Sequence, residues 1–287
     1  MYTGSTRNLG VIGDPIIHSL SPVMQNCAIS ELGLDYVYIA MQVKCDALAS
    51  AVRGLRDLNF RGFNVTIPHK TNIIPLLDEV DEDARAIGAV NTVVNSEGRL
   101  LGYNTDVCGF VGALKHHGFS IDGKHVVLMG AGGAARAVVW GLIKNHAAEI
   151  TMGVRNPRKA LALVEYFRKY TDIQLFDWNA PEFSEKLLSA DLLVNSTPLG
   201  MYPNLAAMPP VAWEQLNPAA FVYDIIYTPA QTSFLQQAAA GGHPTLNGEE
   251  MLVGQGAAAF QLWTSKIANQ DTMLSALREA LRQQDHF

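Results

Sequence analysis

The chain is expected to fold as an α/β protein whose second half is a doubly wound parallel sheet. Three observations support this. Strand-type and helix-type segments alternate from Asn8 to Ile226, the order that builds parallel sheets. The stretch from Val126 to Arg136, VVLMGAGGAAR, is an apolar strand run that stops in four small residues and continues at helical spacing. A length of 287 residues favours two domains over one, and a hydrophobic content of 48% is ample for their cores.

Taken in order, Asn8 to Ile12 reads as a short strand. Ser21 and Pro22 open a helix as cap residue and first-turn proline, and Gly33 closes it. Tyr36 to Val43 is aromatic and β-branched, hence a strand; Cys45 to Leu58 reads as a helix and Gly62 to Ile67 as a third strand. Two short helical stretches follow, and the acidic run from Asp78 to Asp83 reads as a solvated helix start. Thr92 to Asn95 and Arg99 to Gly102, joined through Ser96-Glu97-Gly98, read as a hairpin. A helix from Thr105 to His117 leads into the glycine-rich turn. Four further strands are expected at Glu149 to Val154, Ile173 to Phe176, Asp191 to Ser196 and Phe221 to Ile226. After Gly241-Gly242 only helices are expected, Glu249 to Lys266 and Asp271 to Gln284. The domains are thus 1–106, an α/β unit; 107–243, a nucleotide-binding unit of Rossmann type; and 244–287, a helical tail.

The turn Gly130-Ala131-Gly132-Gly133 is how a strand, a tight turn and a helix N-terminus are written when a phosphate approaches the backbone. Gly130 allows the turn, Gly132 removes a Cβ from the pyrophosphate path, and Ala135 permits close helix–strand packing. The first helical N–H groups are unsatisfied donors, and the helix dipole favours an anion there. A ligand-free βα turn is written similarly. The next strand sets the choice of nucleotide. It runs into Val154-Arg155-Asn156-Pro157-Arg158-Lys159, with three cations and no carboxylate at its tip. A carboxylate there would bond a ribose 2′-OH, whereas guanidinium groups bind a 2′-phosphate. The expected cofactor is therefore NADP. A solvated basic turn is the plainer alternative.

Net charge is −6, and no basic stretch is interleaved with aromatics, so nucleic acid is not the expected ligand. Cys27, Cys45 and Cys108 are odd in number and outside any CxxC, which suits a reducing compartment and argues against a disulfide framework or zinc site. His116 and His117 are adjacent, but no HExxH is present and no metal is expected. No signal-peptide pattern opens the chain, and the apolar window around the glycine turn changes period midway, so no membrane span is expected. A cytoplasmic protein acting on a small molecule follows.

Short polar groups crowd the strand ends of the first half. His18-Ser19-Leu20-Ser21-Pro22 places two hydroxyls at a helix N-terminus, which suits a carboxylate. Asn64-Val65-Thr66-Ile67-Pro68-His69-Lys70 alternates polar and apolar residues, is stopped by proline and is followed by a lysine. Asn91-Thr92 and Asn104-Thr105-Asp106 add amides, hydroxyls and a carboxylate. Capping and turn chemistry is the bland account of each cluster alone. A hydride-transfer enzyme would use them as substrate site and proton-exchange group.

These blocks, with Gly88-Ala89-Val90-Asn91-Thr92, Gly102-Tyr103-Asn104-Thr105-Asp106, Asn195-Ser196-Thr197-Pro198-Leu199-Gly200-Met201 and Met251-Leu252-Val253-Gly254-Gln255-Gly256-Ala257, closely resemble the shikimate dehydrogenase family over nearly the whole chain. The resemblance implies reversible NADP-dependent reduction of 3-dehydroshikimate to shikimate, in aromatic amino-acid biosynthesis. It implies Lys70 and Asp106 as catalytic pair. Ser19 and Ser21 would bind the substrate carboxylate, Thr66, Asn91 and Gln255 its hydroxyls, and Tyr227 would line the carboxylate end. Gly130, Ala131, Gly132, Gly133 and Ala134 would hold the pyrophosphate, and Arg155, Asn156 and Lys159 the 2′-phosphate. Thr197, Met201, Met251 and Gly254 would lie near the nicotinamide. It further implies that the C-terminal helices return to the first domain, that the active site lies in the cleft between domains, and a monomer or homodimer.

Two departures bear on specificity. Val154-Arg155-Asn156 stands where many NADP-using members have Asn-Arg-Thr. Gln25-Asn26 stands where many have His-Asn, as in the branch that also accepts quinate. A quinate/shikimate dehydrogenase with mixed NAD and NADP use is the first alternative, and a catalytically inactive dinucleotide sensor the remote one.

Overall fold

The structure is a computed structural model and describes residues 2–284. In chain order the elements are β1 (Arg7–Gly13), α1 (Ser21–Glu31), β2 (Tyr36–Gln42), α2 (Leu48–Asp57), β3 (Gly62–Val65), β4 (Glu79–Val80), α3 (Glu82–Ile87), β5 (Thr92–Ser96), β6 (Arg99–Tyr103) and α4 (Asp106–His116). There follow β7 (His125–Met129), α5 (Gly133–Lys144), β8 (Glu149–Val154), α6 (Pro157–Phe167), β9 (Ile173–Asp177), α7 (Pro181–Leu187), β10 (Leu192–Asn195), β11 (Phe221–Asp224), α8 (Ser233–Ala240), β12 (Thr245–Leu246), α9 (Glu249–Thr264) and α10 (Gln270–Gln284). The chain divides into two compact units, Met1–Gly109 with Val253–Phe287, and Phe110–Leu252.

The first unit is built on a mixed sheet in the order β2-β1-β3-β5-β6-β4. β1 is parallel to β2 and β3, whereas β5 runs antiparallel to β3 and β6. Its core joins Ile12, Phe63, Val65, Val93 and Leu100 of the strands to Leu48, Val52 and Leu55 of α2. Those α2 positions are one helical turn apart and so share a face. Trp263 of α9 is buried in the same unit and donates from Nε1 to the Val93 carbonyl at 2.9 Å.

The second unit is an all-parallel sheet in the order β12-β11-β10-β7-β8-β9. From β7 the chain steps outward through β8 and β9, then returns to the other side of β7 for β10, β11 and β12. This is the strand order of the dinucleotide-binding doubly wound fold, whose ligands bind outside the carboxyl ends of the strands where the order reverses.

Several elements differ from the sequence reading. Ser21 is the first helical residue rather than the cap; Leu20 occupies the cap position without a side-chain bond, and Ser19 Oγ accepts from the Ser21 N–H at 3.4 Å. The expected helix from Cys45 begins as a 3₁₀ turn, Cys45–Ala47, before α2. Within the acidic run, Glu79–Val80 pairs with β6, while Asp81 caps α3 by accepting from the Asp83 N–H. The segment after Gly242 is not purely helical, because Thr245–Leu246 adds to β11. Residues 244–252 accordingly group with the second unit.

Candidate active site

One edge of the first sheet gathers the polar blocks, and strand register is the reason. Ile12 lies beside Val65, Asn64 beside Thr92, and Thr92 beside Tyr103. The carboxyl ends of β1, β3 and β6 and the start of β5 therefore share one edge. The segments at that edge carry Ser19 and the first residue of α1, Ser21; Thr66 and Lys70; Asn91, just before β5; and the first residue of α4, Asp106.

Lys70 Nζ donates to Asp106 Oδ2 at 2.6 Å. The Asp106 side chain is 9% exposed and that of Lys70 20%, so the pair is largely screened from bulk water. Asn91 Nδ2 donates to Asp106 Oδ1 at 2.8 Å, to Thr105 Oγ1 at 3.0 Å and more weakly to Gln255 Oε1 at 3.4 Å. Asn91 Oδ1 in turn accepts from the Thr105 N–H at 2.8 Å and the Thr92 hydroxyl at 2.9 Å. Asn64 supports this layer by donating to the Asn91 carbonyl and to Thr92 Oγ1, and it accepts from the Tyr38 phenol at 2.7 Å. Burial pushes the Tyr38 phenol well up, against a hydrogen bond with Ser21, so it stays neutral and serves as a donor. Lys70, Asp106, Asn91 and Gln255 thus meet directly; Ser21 joins through Tyr38 and Asn64. Thr66 follows β3, its N–H bonded to the Ile12 carbonyl.

In the second unit the glycine turn follows β7. Gly130 has φ +101, a left-handed backbone, and a Cβ there would come within 2.8 Å of Thr197 Cγ2. Gly132 precedes α5, which has no side-chain cap, and a Cβ on Gly132 or Gly133 would meet nothing within 4 Å. The first N–H groups of α5 thus open into unfilled space, the geometry a pyrophosphate needs. Ala131 and Ala134 are half-buried and Ala135 is fully buried. Met129 lies beside Gly153, which places the turn next to the tip of β8. Arg155 and Lys159 are exposed there, and Asn156 caps α6 by accepting from the Lys159 N–H at 3.2 Å.

Thr197 follows β10 and donates from Oγ1 to Asn195 Oδ1 at 2.7 Å. Asn195 Nδ2 donates to Asp224 Oδ1, whose other oxygen accepts from Thr232 at 2.6 Å. Burial pushes the Asp224 carboxyl up to about 6, against hydrogen bonds from Thr232, the Ile226 N–H and Asn195. Met201 is exposed and Met251 buried. Tyr227 follows β11, and burial raises its phenol. Gly254 has a packing reason of its own, since a Cβ would lie 3.0 Å from the Gly109 Cα.

Asn64, Tyr38, Thr105 and Asp224 support these groups without having been assigned a role from sequence. Asn64 and Thr105 stand in the polar blocks, so their signal was present. Asp224 is a lone acid at the end of an apolar strand, a pattern shared with many turns. Among the described residues one group has the side chains and spacing to hold a metal ion: His116, His117 and Glu250. Among them, too, no helix is long and apolar enough to cross a membrane.

A second unit built on a doubly wound sheet with an open glycine turn, and a first unit carrying a screened lysine–carboxylate pair, together define a nucleotide-dependent α/β enzyme. The comparisons refine this. The family model for the shikimate dehydrogenase substrate binding domain matches residues 11–93, and that for the shikimate 5′-dehydrogenase C-terminal domain matches residues 248–278. A shikimate dehydrogenase (NADP(+)) of Desulforamulus reducens is 42% identical over 279 residues, 96% of each chain. A crystal structure of a shikimate dehydrogenase in complex with NADP+ matches with TM-score 0.92 and 39% identity over 98% of each chain. The Thermus thermophilus enzyme in complex with NADP(H) and shikimate matches with TM-score 0.86 and 38% identity, over 96% of this chain and 99% of that one. The chain belongs to the shikimate dehydrogenase family.

Proposed function

We propose that this protein catalyses the reversible NADP-dependent reduction of 3-dehydroshikimate to shikimate, in aromatic amino-acid biosynthesis. The observation that carries the reading is the Lys70–Asp106 pair at 2.6 Å, tied to Asn91 and Gln255 at one sheet edge in a chain of this family. The unit Met1–Gly109 with Val253–Phe287 takes the substrate, and Phe110–Leu252 takes the dinucleotide.

NADPH, when bound, supplies the hydride that reaches the carbonyl carbon. Lys70, as an ammonium, donates a proton from Nζ to the carbonyl oxygen; in the oxidative direction it accepts that proton from the hydroxyl. Asp106 holds Nζ through one oxygen, and Asn91 holds the other oxygen, so the donor is oriented before substrate arrives. Ser19 and Ser21 bind the substrate carboxylate, and Tyr227 lines that end. Thr66, Asn91 and Gln255 take the hydroxyls. Asn91 is heavily engaged, so its weak 3.4 Å bond to Gln255 is the one a hydroxyl replaces.

The residues present fit the cofactor. The α5 N-terminus with Gly130, Ala131, Gly132, Gly133 and Ala134 accepts the pyrophosphate, and Arg155 and Lys159 the 2′-phosphate. Asn156 contributes through Nδ2, because its Oδ1 caps α6. Thr197, Met201, Met251 and Gly254 are assigned to the nicotinamide end. The scattered thiols support a reducing compartment, the cytoplasm, and a monomer or homodimer suffices for the chemistry.

The test is initial rates with shikimate or quinate crossed against NADP or NAD. Fast turnover with shikimate and NADP alone is expected. No turnover from folded, cofactor-binding protein would overturn the reading in favour of a sensor. Gln25 favours a second reading, a quinate/shikimate dehydrogenase. It is fully buried, donates to the Gly256 carbonyl at 2.9 Å and leaves its Oε1 without a partner among the described residues. Comparable rates with quinate or NAD would select that reading.

A further inference from the structure

We propose that His116, His117 and Glu250 form a binding site for a divalent transition-metal ion, which clamps the C-terminal end of α4 to the first turn of α9. His116 Nδ1 lies 2.9 Å from Glu250 Oε2, and His117 Nε2 lies 3.0 Å from Glu250 Oε1. All three ligand atoms lie within 4.8 Å of one another. Neighbouring residues at a helix end point in different directions. These two converge because one ring offers its near nitrogen and the other its far one.

Helix packing fixes the meeting place. A Cβ on Gly254 of α9 would lie 3.0 Å from the Gly109 Cα of α4. His116 lies about two turns beyond Gly109, and Glu250 about one turn before Gly254, so the second meeting falls where α4 ends. Gly118, with φ +73, stops α4 there, and the His117 N–H still bonds to the Ala113 carbonyl. The carbonyl end of a helix favours a cation.

The donor set selects the ion. Two imidazoles and one carboxylate suit Zn²⁺, Co²⁺ or Ni²⁺, whereas Mg²⁺ and Ca²⁺ take oxygen shells. A tetrahedral ion with bonds of about 2.0–2.2 Å wants its ligands roughly 3.4 Å apart, so small ring rotations complete the site. The His116 side chain is 71% exposed and that of Glu250 17%. Three protein ligands leave a fourth position for water.

The test uses the full, untagged chain stripped with chelator. Zn²⁺ is titrated by calorimetry and Co²⁺ by visible absorption, with wild type, H117A and E250Q, each first shown to melt cooperatively. H117Q replaces H117A if the latter melts early. The expected result is one equivalent bound with a rise in Tm, and binding at least about tenfold weaker in both variants. A C45S/C108S variant, lacking the two exposed thiols, is expected to bind as wild type does. Binding unchanged in H117A and E250Q would overturn the assignment. So would binding lost in C45S/C108S, or no binding at millimolar metal.

Discussion

Replacing Lys70 by alanine isolates the proton-transfer role. In wild type Nζ sits 2.6 Å from Asp106 Oδ2, while Asp106 Oδ1 is separately held by Asn91. Lys70→Ala therefore removes the acid and leaves the Asn91 layer with its own bonds. Loss of a positioned acid–base group costs about 10²- to 10⁴-fold, or about 2.7–5.4 kcal/mol on the barrier. KM for shikimate should change little, because Ser19, Ser21, Thr66 and Gln255 are untouched. The orphaned Asp106 carboxylate, 9% exposed, also costs stability; about 3 kcal/mol is the ceiling, since water can enter the space lysine vacates. Asp106→Asn keeps an acceptor for Asn91 and loses only the charge that orients Nζ, so its kcat should fall less, by roughly tenfold. The assay is nicotinamide absorbance in steady state and single turnover, the latter separating chemistry from release. A Lys70→Ala enzyme with near-normal single-turnover rate would refute the role. If Asp106→Asn lost more than Lys70→Ala, the proton would belong to Asp106.

Arg155→Ala should raise KM for NADP about 10- to 100-fold, the scale of one charged hydrogen bond, and leave NAD kinetics nearly unchanged; equal effects on both cofactors would remove Arg155 from the 2′-phosphate. Gly130→Ala should cost about 1–3 kcal/mol, seen as a lower Tm and weaker NADP binding, because φ +101 strains any side chain and the new Cβ meets Thr197. Asp224 should make stability fall as pH rises. Its folded value of about 6 is raised from 3.8, so the proton it holds stabilises the fold below about pH 4, and that contribution is lost as pH passes 6. The loss is of order 3 kcal/mol. Denaturant melts from pH 4 to 8 should show this decline in wild type and a flatter profile in Asp224→Asn; parallel profiles would place the titration elsewhere.

The glycine turn, the hairpin β5–β6 and the alternation of strands and helices along the second unit were legible because each is a local pattern: a run, a turn residue, a period. β12 was not, since two residues, Thr245 and Leu246, have no period of their own and become a strand only by pairing with β11. β4 escaped for the same reason, hidden in an acidic run that also supplies the Asp81 cap. Ser21 looked like a cap because hydroxyls at helix starts usually are. In the fold the preceding turn places Leu20 there, and the serine lies in the first turn near Tyr38.

By itself the sequence determined the α/β class, the anion-ready turn after β7, the cationic tip of β8 and the residue types of the polar blocks. These are written in short stretches whose chemistry does not depend on distant partners. Only the tertiary structure decided which blocks meet. Lys70 and Asp106 are 36 residues apart, and Asn91 and Gln255 are 164 apart, yet register and helix packing bring them into one hydrogen-bonded layer. Glu250 reaches His116 and His117 across more than 130 residues in the same way. A chain codes its periods locally, but the burial that aligns sheet edges and helix crossings is a property of the whole core, and distances between functional groups appear only once that core has formed.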